Sequence, residues 1–295
     1  MMTKILNFGS LNYDYVYTVH HIVQGGETIA SAGMETYCGG KGLNQSIALA
    51  RAGASVFHAG QVGEEGDQMI ELCRESGVDV RYIRKIAGKS GHTIIQVDRN
   101  AQNCIILFGG SNRKMTHAFI DEVLQGFEAG DYLLLQNEIN EIPYIIDQAY
   151  QKGMKIVMNP SPYDEHVEEC DLSKMEILMI NEVEGEQITG KKDASEILTT
   201  LVNQYPDMKI LLTLGSKGAI YCIKGQQFIQ TAMKVDAVDT TAAGDTFTGY
   251  FLDSVLRGLS VEKALQRATA ASALAVTRPG AAASIPMNAE VEEML

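Results

Sequence analysis

Residues 131–160, "DYLLLQNEINEIPYIIDQAYQKGMKIVMNP", contain the repeat that decides the fold. The apolar run "DYLLLQ" is followed by a helical pattern near residues 141–152 and then by a second apolar run, "KIVMNP". Two short β-type runs that are joined by a helix of this length form a right-handed βαβ crossover, in which the two strands are parallel. This stretch therefore predicts an α/β protein with a mostly parallel sheet.

The same alternation of strand and helix patterns continues along most of the chain. Further β-type runs are "KILNFG" (4–9), "SVFHAG" (55–60), "ILMIN" (177–181), "KILLTLG" (209–215) and "GAIYCI" (218–223). Helical patterns lie between or after them, at residues 42–53, 66–77, 194–205, 243–257 and 261–277. Because a parallel sheet needs cover on both faces, we expect a Rossmann-like central sheet between two layers of helices.

Two segments, residues 12–38 and 91–110, interrupt this alternation. Both are rich in Tyr, Val, Thr and Gly and have no helical period, so each is typical of β-hairpins. Strands outside the main sheet need a partner surface, and we therefore predict one small β-lid built from the two insertions. No linker or internal repeat divides the sequence, which predicts a single domain over residues 1–295. Because exposed strand edges favour pairing, the lid also predicts a homodimer.

The composition excludes several classes of protein. The 295 residues carry a net charge of −13, which repels nucleic acid and anionic membranes, so neither is an expected partner. The five cysteines form no C-x-x-C pair, which argues against a zinc site or a disulfide framework and indicates a reducing compartment. No apolar run approaches the ~18 residues of a membrane span, and the N-terminus does not resemble a signal peptide. We therefore expect a cytoplasmic protein.

The stretch "DTTAAGDTF", residues 239–247, has the composition of an anion-binding helix start. Small side chains precede Asp245, and a helical period begins near Ala243. The first amides of a helix lack internal partners and carry the positive end of its dipole, so a phosphate can approach the backbone of Ala242, Ala243 and Gly244. A carboxylate beside such an anion can accept the proton of an attacking hydroxyl. Alternatively, Asp245 only complements the helix dipole, and spacing alone leaves both interpretations open.

Seven stretches resemble, in the same order, the motifs of the ribokinase-like sugar kinases. They are "GSLNYDYV" (9–16), "CGGKGLNQ" (38–45), "LLLQNE" (133–138), "INEVEGEQITG" (180–190), "TLGSKG" (213–218), "DTTAAGDTF" (239–247) and "AVTRPGAAASIP" (275–286). The resemblance spans nearly the whole chain and implies a ribokinase-like fold. It also implies an enzyme that transfers the ATP γ-phosphate to the terminal (5-) hydroxyl of a pentose, and G-G-K-G-x-N-Q is most similar to members that act on D-ribose. A kinase of 2-deoxyribose, a nucleoside or another furanose is the alternative, followed by a non-catalytic sugar-responsive regulator.

The resemblance implies a sugar site with two walls. Its residues are Asn12, Asp14, Gly39, Gly40, Lys41, Asn44, Glu138 and the catalytic Asp245. A carboxylate accepts two hydroxyl donors and an amide both donates and accepts, which suits the ring hydroxyls of a sugar. Each part also has a plainer interpretation: an Asn/Asp turn at positions 12–14, a lid hinge before a helix at 39–44, and a solvated loop acid at Glu138.

The resemblance also implies an ATP groove and two metal ions. Asn181, Thr213, Gly215 and Gly218 would bind the nucleotide, and Glu184 would help to hold Mg²⁺ through water. A capping pattern and a β-turn are the alternatives for these residues. A K⁺ site beside the anion-binding helix start would use oxygen atoms of six residues: Asp239, Thr241, Ala275, Arg278, Gly280 and Ser284.

Four positions depart from the pattern of the family and leave the identity of the sugar open. Gly25 replaces a proline in the first lid segment, which predicts a more flexible lid. Tyr13 is bulkier than the residue that usually follows the first asparagine of the sugar site. His92 stands on the second lid segment, where it could contact the sugar. Thr269 occupies a position at which related kinases can have a histidine near adenine.

Overall fold

The computed structural model describes residues 3–100 and 102–295, and these ranges contain thirteen strands in two sheets. The strands are β1 (Ile5–Phe8), β2 (Asn12–Thr18), β3 (Gly33–Gly39), β4 (Val56–Val62), β5 (Asp79–Lys85), β6 (Gly91–Val97), β7 (Asn103–Phe108), β8 (Tyr132–Gln136), β9 (Lys155–Asn159), β10 (Met175–Asn181), β11 (Lys209–Thr213), β12 (Ala219–Ile223) and β13 (Gln226–Gln230). The α-helices are α1 (Lys41–Ala52), α2 (Asp67–Glu75), α3 (His117–Leu124), α4 (Ile142–Gln151), α5 (Glu165–Glu168), α6 (Glu182–Thr189), α7 (Ala194–Gln204), α8 (Ala243–Leu256), α9 (Val261–Val276) and α10 (Asn288–Met294).

The main sheet follows the order β13-β12-β11-β10-β9-β8-β1-β4-β5. Each neighbouring pair from β11 to β5 is parallel, while β12 and β13 add an antiparallel edge. The strand order changes direction at β1, which lies between β4 and β8, and open α/β sheets bind ligands in the crevice at such a point. The predicted fold class, a mostly parallel sheet covered by helices, is confirmed.

Two hydrophobic cores cover the two faces of the main sheet. On β8, Leu134 belongs to the core beneath α1, α8 and α9, whereas Leu133 and Leu135 belong to the core beneath α3, α4 and α7. Successive side chains of a strand point to opposite faces, so a strand that is covered on both faces is apolar at every position. This explains the continuous "LLL" of β8 and the absence of a period-2 pattern there.

The second sheet has the order β3-β2-β6-β7, and its strands lie within the two segments at residues 12–38 and 91–110. Strands β2 and β6 are parallel, and the other two pairs are antiparallel. Only three residues separate the end of β1 from the start of β2, so the small sheet is joined to the carboxyl edge of the main sheet. We refer to this second sheet as the lid.

Helices α1 and α8 pack against each other closely, and both begin at the same edge of the main sheet. A Cβ at Gly249 of α8 would be 2.8 Å from the Ala48 carbonyl carbon of α1, and a Cβ at Gly42 would be 2.6 Å from the Gly9 backbone. Gly249 therefore permits the close packing of α8 against α1, and Gly42 permits α1 to approach the backbone at the end of β1. The candidate site lies where the two helices begin.

The sequence patterns did not predict α3, α5, α10, β5 and β13. Helix α3 has eight residues and α5 has four, too few for a clear period. Strand β5, "DVRYIRK", carries four charged residues because it forms an edge of the main sheet, where charges discourage pairing with other chains. Within the described ranges, no helix is both long and apolar enough to cross a membrane.

Candidate active site

Two adjoining cavities lie at the carboxyl ends of the central strands. The first has a volume of about 250 Å³, and its lining includes Lys41, Asn159, Asn181, Glu184 and Asp245. The second is a groove of about 320 Å³ with mostly apolar walls, and its lining includes Gly215, Gly218, Met233, Phe247 and Thr269. Both cavities share four lining residues: Thr213, Thr240, Ala243 and Gly244. The start of α8 therefore lies where the polar and apolar cavities meet.

The start of α8 offers backbone amides to these cavities. Ala242 caps the helix at φ 58°, a left-handed conformation that costs alanine ~1–3 kcal/mol and occurs most often at functional sites. The amide of Ala243 donates to the Thr240 carbonyl at 3.3 Å, whereas those of Ala242, Gly244 and Asp245 have no acceptor among the described residues. A Cβ at Gly244 would meet no atom within 4 Å, so this amide borders open space. Amides in this position can bind an anion.

The carboxylate of Asp245, in the first turn of α8, is held by two side chains of α1. Asn44 Nδ2 donates to Oδ2 at 3.0 Å, and Gln45 Nε2 donates to Oδ1 at 2.9 Å. Because Asp245 is only 6% exposed, it is not a solvated side chain that merely complements the helix dipole. The Asn44 Oδ1 atom is buried without a partner in the described part of the chain. Asn44 therefore keeps one acceptor atom, beside the carboxylate, that no described group of the protein uses.

Lys41, the first residue of α1, brings a positive charge into this acidic cleft. Burial lowers the pKa of its ammonium group, but the carboxylates of Asp245, Glu138 and Glu184 raise it, and the resulting pKa lies above its usual value. The Lys41 amide donates to Glu138 Oε2 at 2.9 Å, and the Ser10 hydroxyl donates to the same oxygen. Glu138 is therefore anchored at the N-terminus of α1 and is not a solvated loop acid.

The lid and the start of α1 form a polar wall next to these cavities, and no described lid residue is among the residues that line them. Thr93 Oγ1 donates to Asp14 Oδ1 at 2.5 Å, while Asp14 Oδ2 lies so close to Gly39 that a Cβ there would overlap it. Gly40 has a φ of 93°, and a Cβ there would be 3.3 Å from Asn12 Nδ2. The polar groups of β2 thus approach the backbone at the end of β3 directly, which is the reason that this wall contains two consecutive glycines.

Asn181 and Glu184 form a capping box at the start of α6. The Glu184 amide donates to Asn181 Oδ1 and the Asn181 amide donates to Glu184 Oε2, both at 2.9 Å. The capping interpretation is therefore realised, and it leaves Asn181 Nδ2 and Glu184 Oε1 without a protein partner in the described ranges. Gly215 and Gly218 have φ values of 55° and 112° and form the turn after β11, beside Thr213. These residues line the same two cavities.

The six predicted K⁺ ligands lie on two segments, residues 239–241 and 275–284. A hydrogen bond to Asp239 connects the two segments. Asp239 Oδ1 accepts hydrogen bonds from the Thr241 amide at 2.8 Å and the Thr241 hydroxyl at 2.6 Å, and its Oδ2 accepts one from the Gly280 amide at 2.9 Å. Burial raises the pKa of Asp239, but these three bonds lower it overall. The remaining predicted ligands on the second segment are Ala275, Arg278 and Ser284. Carbonyl, hydroxyl and carboxylate oxygens of this kind fit a hard cation.

The predicted site omitted five polar residues that contact it. Ser10 donates to Glu138, Thr93 donates to Asp14, and Asn112 Nδ2 donates to Asn12 Oδ1 at 2.7 Å. Gln45 donates to Asp245 and also to Asn159 Oδ1 at 2.9 Å. Ser10 and Gln45 lie within quoted motifs, so a signal was present for them. Thr93 reaches the site through the pairing of β6 with β2, and Asn112 reaches it from the turn after β7, so no local pattern reveals either residue.

His92 and Tyr13, two of the residues that depart from the family pattern, lie away from the sugar side of the lid. His92 and Thr93 are neighbours on β6 and point to opposite faces, so His92 faces away from Asp14, and its ring packs against Tyr15 at 5.7 Å between centroids. His92 therefore lies on the face of the lid opposite to Asp14, where a contact with the sugar is not expected. Tyr13 is 6% exposed and belongs to the core, where its hydroxyl donates to the Glu65 carbonyl at 2.9 Å.

Comparison with known proteins identifies the family. Residues 2–288 match the model of the pfkB family carbohydrate kinases. The chain is 34% identical over 304 residues to a ribokinase of Haemophilus influenzae, with 100% of this chain and 99% of that protein covered, and 28% identical over 296 residues to a deoxyribokinase of Salmonella typhi, with 97% of each covered. It is similar to the structure of Arabidopsis thaliana ribokinase complexed with ribose and ATP, with a TM-score of 0.89, 28% identity and coverage of 100% and 99%. These matches confirm the resemblance seen in the seven motifs, and the chain belongs to the pfkB family of carbohydrate kinases.

Proposed function

We propose that this chain is an ATP-dependent ribose kinase, which transfers the γ-phosphate of ATP to the 5-hydroxyl of D-ribose. The observation that carries the proposal is the buried Asp245 carboxylate, which α1 orients beside the open amides at the start of α8. A base beside an anion site is the arrangement that phosphoryl transfer to a hydroxyl requires. The ribokinase relatives and the ribose and ATP complex of a structural neighbour support ribose and ATP as the substrates.

In this reaction Asp245 accepts the proton of the 5-hydroxyl as its oxygen attacks the γ-phosphorus of ATP. The new oxygen–phosphorus bond forms while the bond to the β,γ-bridging oxygen breaks, and ADP leaves with that electron pair. The amides of Gly244 and Asp245 bind the negative charge of the transferring group, and the charged ammonium group of Lys41 adds to this stabilisation. Because the transition state is loose, the positions of these groups matter more than the strength of the base.

The sugar is assigned to the wall formed by the lid and the start of α1. Asn12 and Asp14 offer an amide and a carboxylate to the ring hydroxyls, Asn44 offers its unpaired Oδ1, and Gly39 and Gly40 let the ring approach the backbone. Glu138 completes this set beside Lys41. The nucleotide is assigned to the adjoining cavities, where Asn181, Thr213, Gly215 and Gly218 contact it and the apolar groove near Thr269 receives the base.

Two cations are included in the proposal. Glu184 keeps one carboxylate oxygen outside its capping box, which suits a Mg²⁺ ion that retains most of its water ligands. When bound, Mg²⁺ would neutralise charge on the ATP phosphates. K⁺ is assigned to the oxygens of Asp239, Thr241, Ala275, Arg278, Gly280 and Ser284, next to the start of α8. Full activity without K⁺ would contradict that assignment.

The assembly and location of the protein are also proposals. Strand β7 is an edge of the lid with exposed apolar side chains: Ile105 (54%), Ile106 (59%), Leu107 (43%) and Phe108 (52%). A second copy of the chain would cover these side chains, so we infer a homodimer through the lid. A monomer in light scattering would contradict it. The five cysteines are all free, which supports the cytoplasm as the compartment.

The affinity for ribose is expected to decrease below about pH 6. Burial raises the pKa of Asp14 to about 6, although the hydrogen bond from Thr93 opposes this change. The carboxylate is charged above that pH and loses acceptor capacity when it takes a proton, so the KM for ribose should rise about 10-fold between about pH 7.5 and pH 5. Between about pH 4 and pH 6 the free energy of unfolding should fall as pH rises, because folded Asp14 binds a proton that unfolded Asp14 has released.

Asp14→Asn is the control for this pH dependence, because asparagine does not titrate. Its KM for ribose should be higher than that of the wild type at neutral pH and should not rise further between about pH 7.5 and pH 5. Steady-state kinetics at saturating ATP measure both proteins. If Asp14→Asn retains the pH dependence of the wild type, another group causes it.

Gly244→Ala should separate anion binding from stability. A Cβ there would meet no protein atom within 4 Å, and alanine in the first turn of a helix is favoured over glycine by about 0.5–1 kcal/mol. The melting temperature should therefore stay the same or rise slightly. The added methyl group would, however, occupy the space in which the transferring phosphoryl group approaches the amide, so kcat should fall about 10-fold or more. Unchanged kcat would show that phosphate does not approach this amide.

A coupled assay of ADP release across a panel of sugars, with and without K⁺, tests the proposed function. Ribose should give the highest kcat/KM, ahead of 2-deoxyribose, nucleosides and other furanoses. A preference for 2-deoxyribose would favour the activity of the Salmonella typhi relative instead. No turnover with any sugar, from protein that still binds sugar in calorimetry, would favour a regulatory role.

A further inference from the structure

A chain of buried amide side chains lies beneath Asp245 and has no role in the reaction steps above. Gln45 Nε2 donates to Asp245 Oδ1 and to Asn159 Oδ1, both at 2.9 Å. Gln45 Oε1 accepts from Gln136 Nε2 at 2.7 Å, and Gln136 Nε2 also donates to Asn7 Oδ1 at 2.9 Å. Gln45 and Asn7 are fully buried and Gln136 is 1% exposed. These bonds connect α8 and α1 with β1, β8 and β9.

The hydrogen bonds fix the orientation of the Gln45 amide. A carboxylate such as Asp245 is an acceptor only, so Gln45 must direct its NH₂ group toward it. A rotated amide would direct its oxygen toward two acceptors, Asp245 Oδ1 and Asn159 Oδ1, and would leave the Gln136 donor facing another donor. Each unpaired buried group of this kind is costly. Gln45 is therefore held in one orientation from the sheet side.

The far end of the chain continues into the core, where His58 Nε2 and Gln136 Oε1 are buried without a partner among the described residues. Asn7 Nδ2 donates to the Gly42 carbonyl at 2.7 Å and to Ser46 Oγ at 2.8 Å, and Ser46 Oγ lies 2.8 Å from His58 Nδ1. Burial lowers the pKa of His58 to about 4, so this ring is neutral at the pH of any ordinary assay. The members of the network that lie in the core are therefore neutral. Its only charged member is Asp245, at the cleft.

We propose that Gln45 is a positioning residue that holds the Asp245 carboxylate in the orientation that accepts the proton of the sugar hydroxyl. This inference rests on the proposed role of Asp245 as the base. Gln45 is fully buried and lines neither cavity, so it cannot contact the sugar itself. The donation from Gln45 also stabilises the charged form of the carboxylate. Two charged groups, Lys41 of α1 and Glu138 after β8, face Asp245 as well.

Gln45→Met tests the proposal, because methionine is similar in volume and flexibility but cannot donate a hydrogen bond. We expect kcat to fall about 10-fold or more, with less than about a 3-fold change in the KM for ribose. The acid side of the kcat profile should move to higher pH, because Asp245 has lost a hydrogen-bond donor that favours its charged form. Lys41 and Glu138 remain in this variant, and His58 does not titrate in this range.

Gln61→Met is the matched control, because Gln61 is another buried glutamine, on β4, that does not contact Asp245. The acid side of the kcat–pH profile of this variant should match that of the wild type. Melting temperatures of both variants show whether the fold is kept. If Gln45→Met does not fold, Gln45→Glu retains the size and polarity of the side chain and should move the acid midpoint upward further, because a second carboxylate faces Asp245.

The outcomes separate this inference from the proposed function. If Gln45→Met and Gln45→Glu have the kcat and acid midpoint of the wild type while Asp245→Asn is inactive, Gln45 does not position the base, and the proposed function stands. If Asp245→Asn is fully active, the assignment of the base is itself wrong. An increase in the KM for ribose at unchanged kcat would also overturn the positioning role, because it would place the effect in sugar binding.

Discussion

Replacing Asp245 with asparagine is expected to lower kcat about 1,000-fold while the protein stays folded. The substitution preserves the size of the side chain but removes the group that accepts the proton of the 5-hydroxyl. It also turns one acceptor oxygen into a donor, so Asn44 or Gln45 loses its partner on Asp245. The loss should appear in kcat rather than in the KM for ATP, because the amides at the start of α8 are unchanged. The coupled assay of ADP release measures both constants.

Asp236→Asn is the control for this substitution. Asp236 is exposed and lies on the same approach to α8, so its replacement makes the same change in net charge without touching the cleft. We expect its kcat to equal that of the wild type. Circular dichroism and the melting temperature should show both variants folded. Asp245→Asn with more than about a tenth of the activity of the wild type would exclude Asp245 as the base.

Gly39→Ala is expected to raise the KM for ribose about 100-fold. A Cβ at Gly39 would overlap Asp14 Oδ2, so the carboxylate must leave its position and lose the hydrogen bond from Thr93. Each lost hydrogen bond to a charged group costs about 1.5–3 kcal/mol, which corresponds to a factor of roughly 10 to 100 in affinity. Asp245 and the start of α8 are not affected, and kcat at saturating ribose should therefore stay within about 3-fold of the wild type.

Gly33→Ala is a matched control at the other end of the same strand. Both glycines lie on β3, but a Cβ at Gly33 would meet no atom within 4 Å. This variant should have the KM for ribose of the wild type, since it changes only an exposed end of the lid. Equal effects of the two substitutions would mean that the flexibility of the strand, and not the contact of Gly39 with Asp14, controls ribose binding.

The main features of the fold follow from local pattern. The run "LLL" of β8 predicts a strand because both faces of the sheet are covered, and the helical periods around residues 141–152 and 243–257 correspond to α4 and α8. The charged edge strand β5 could not be predicted in this way, because its position at the end of the sheet is a property of the whole fold. The same holds for α3, which is too short for its period to be distinguished.

The candidate site was only partly predictable for a related reason. Asp245 and the small residues before it are adjacent in sequence, so their chemistry is visible in one stretch. The partners of Asp245 are two hundred residues away on α1, and Gln136 on β8 orients Gln45 from the sheet side. For His92, the sequence correctly placed the residue on the lid. The alternation of side chains along β6, however, directs His92 away from the sugar side of the lid.

The proposed capping residues show that two interpretations of one pattern can both apply. Asn181 and Glu184 were expected either to cap α6 or to serve the nucleotide and Mg²⁺. The capping box uses one oxygen of each side chain and leaves Asn181 Nδ2 and Glu184 Oε1 for a ligand. A local signal for a helix start therefore does not exclude a binding role, because a carboxylate or an amide has more than one hydrogen-bonding group.

The product formed from ribose and ATP is the most direct test of phosphoryl transfer to the 5-hydroxyl. Phosphorus and carbon NMR of the reaction mixture should show a single phosphate ester on carbon 5 of ribose, formed in equal amount to ADP. An ester on carbon 1, or release of ADP and inorganic phosphate without any sugar phosphate, would contradict the proposed function.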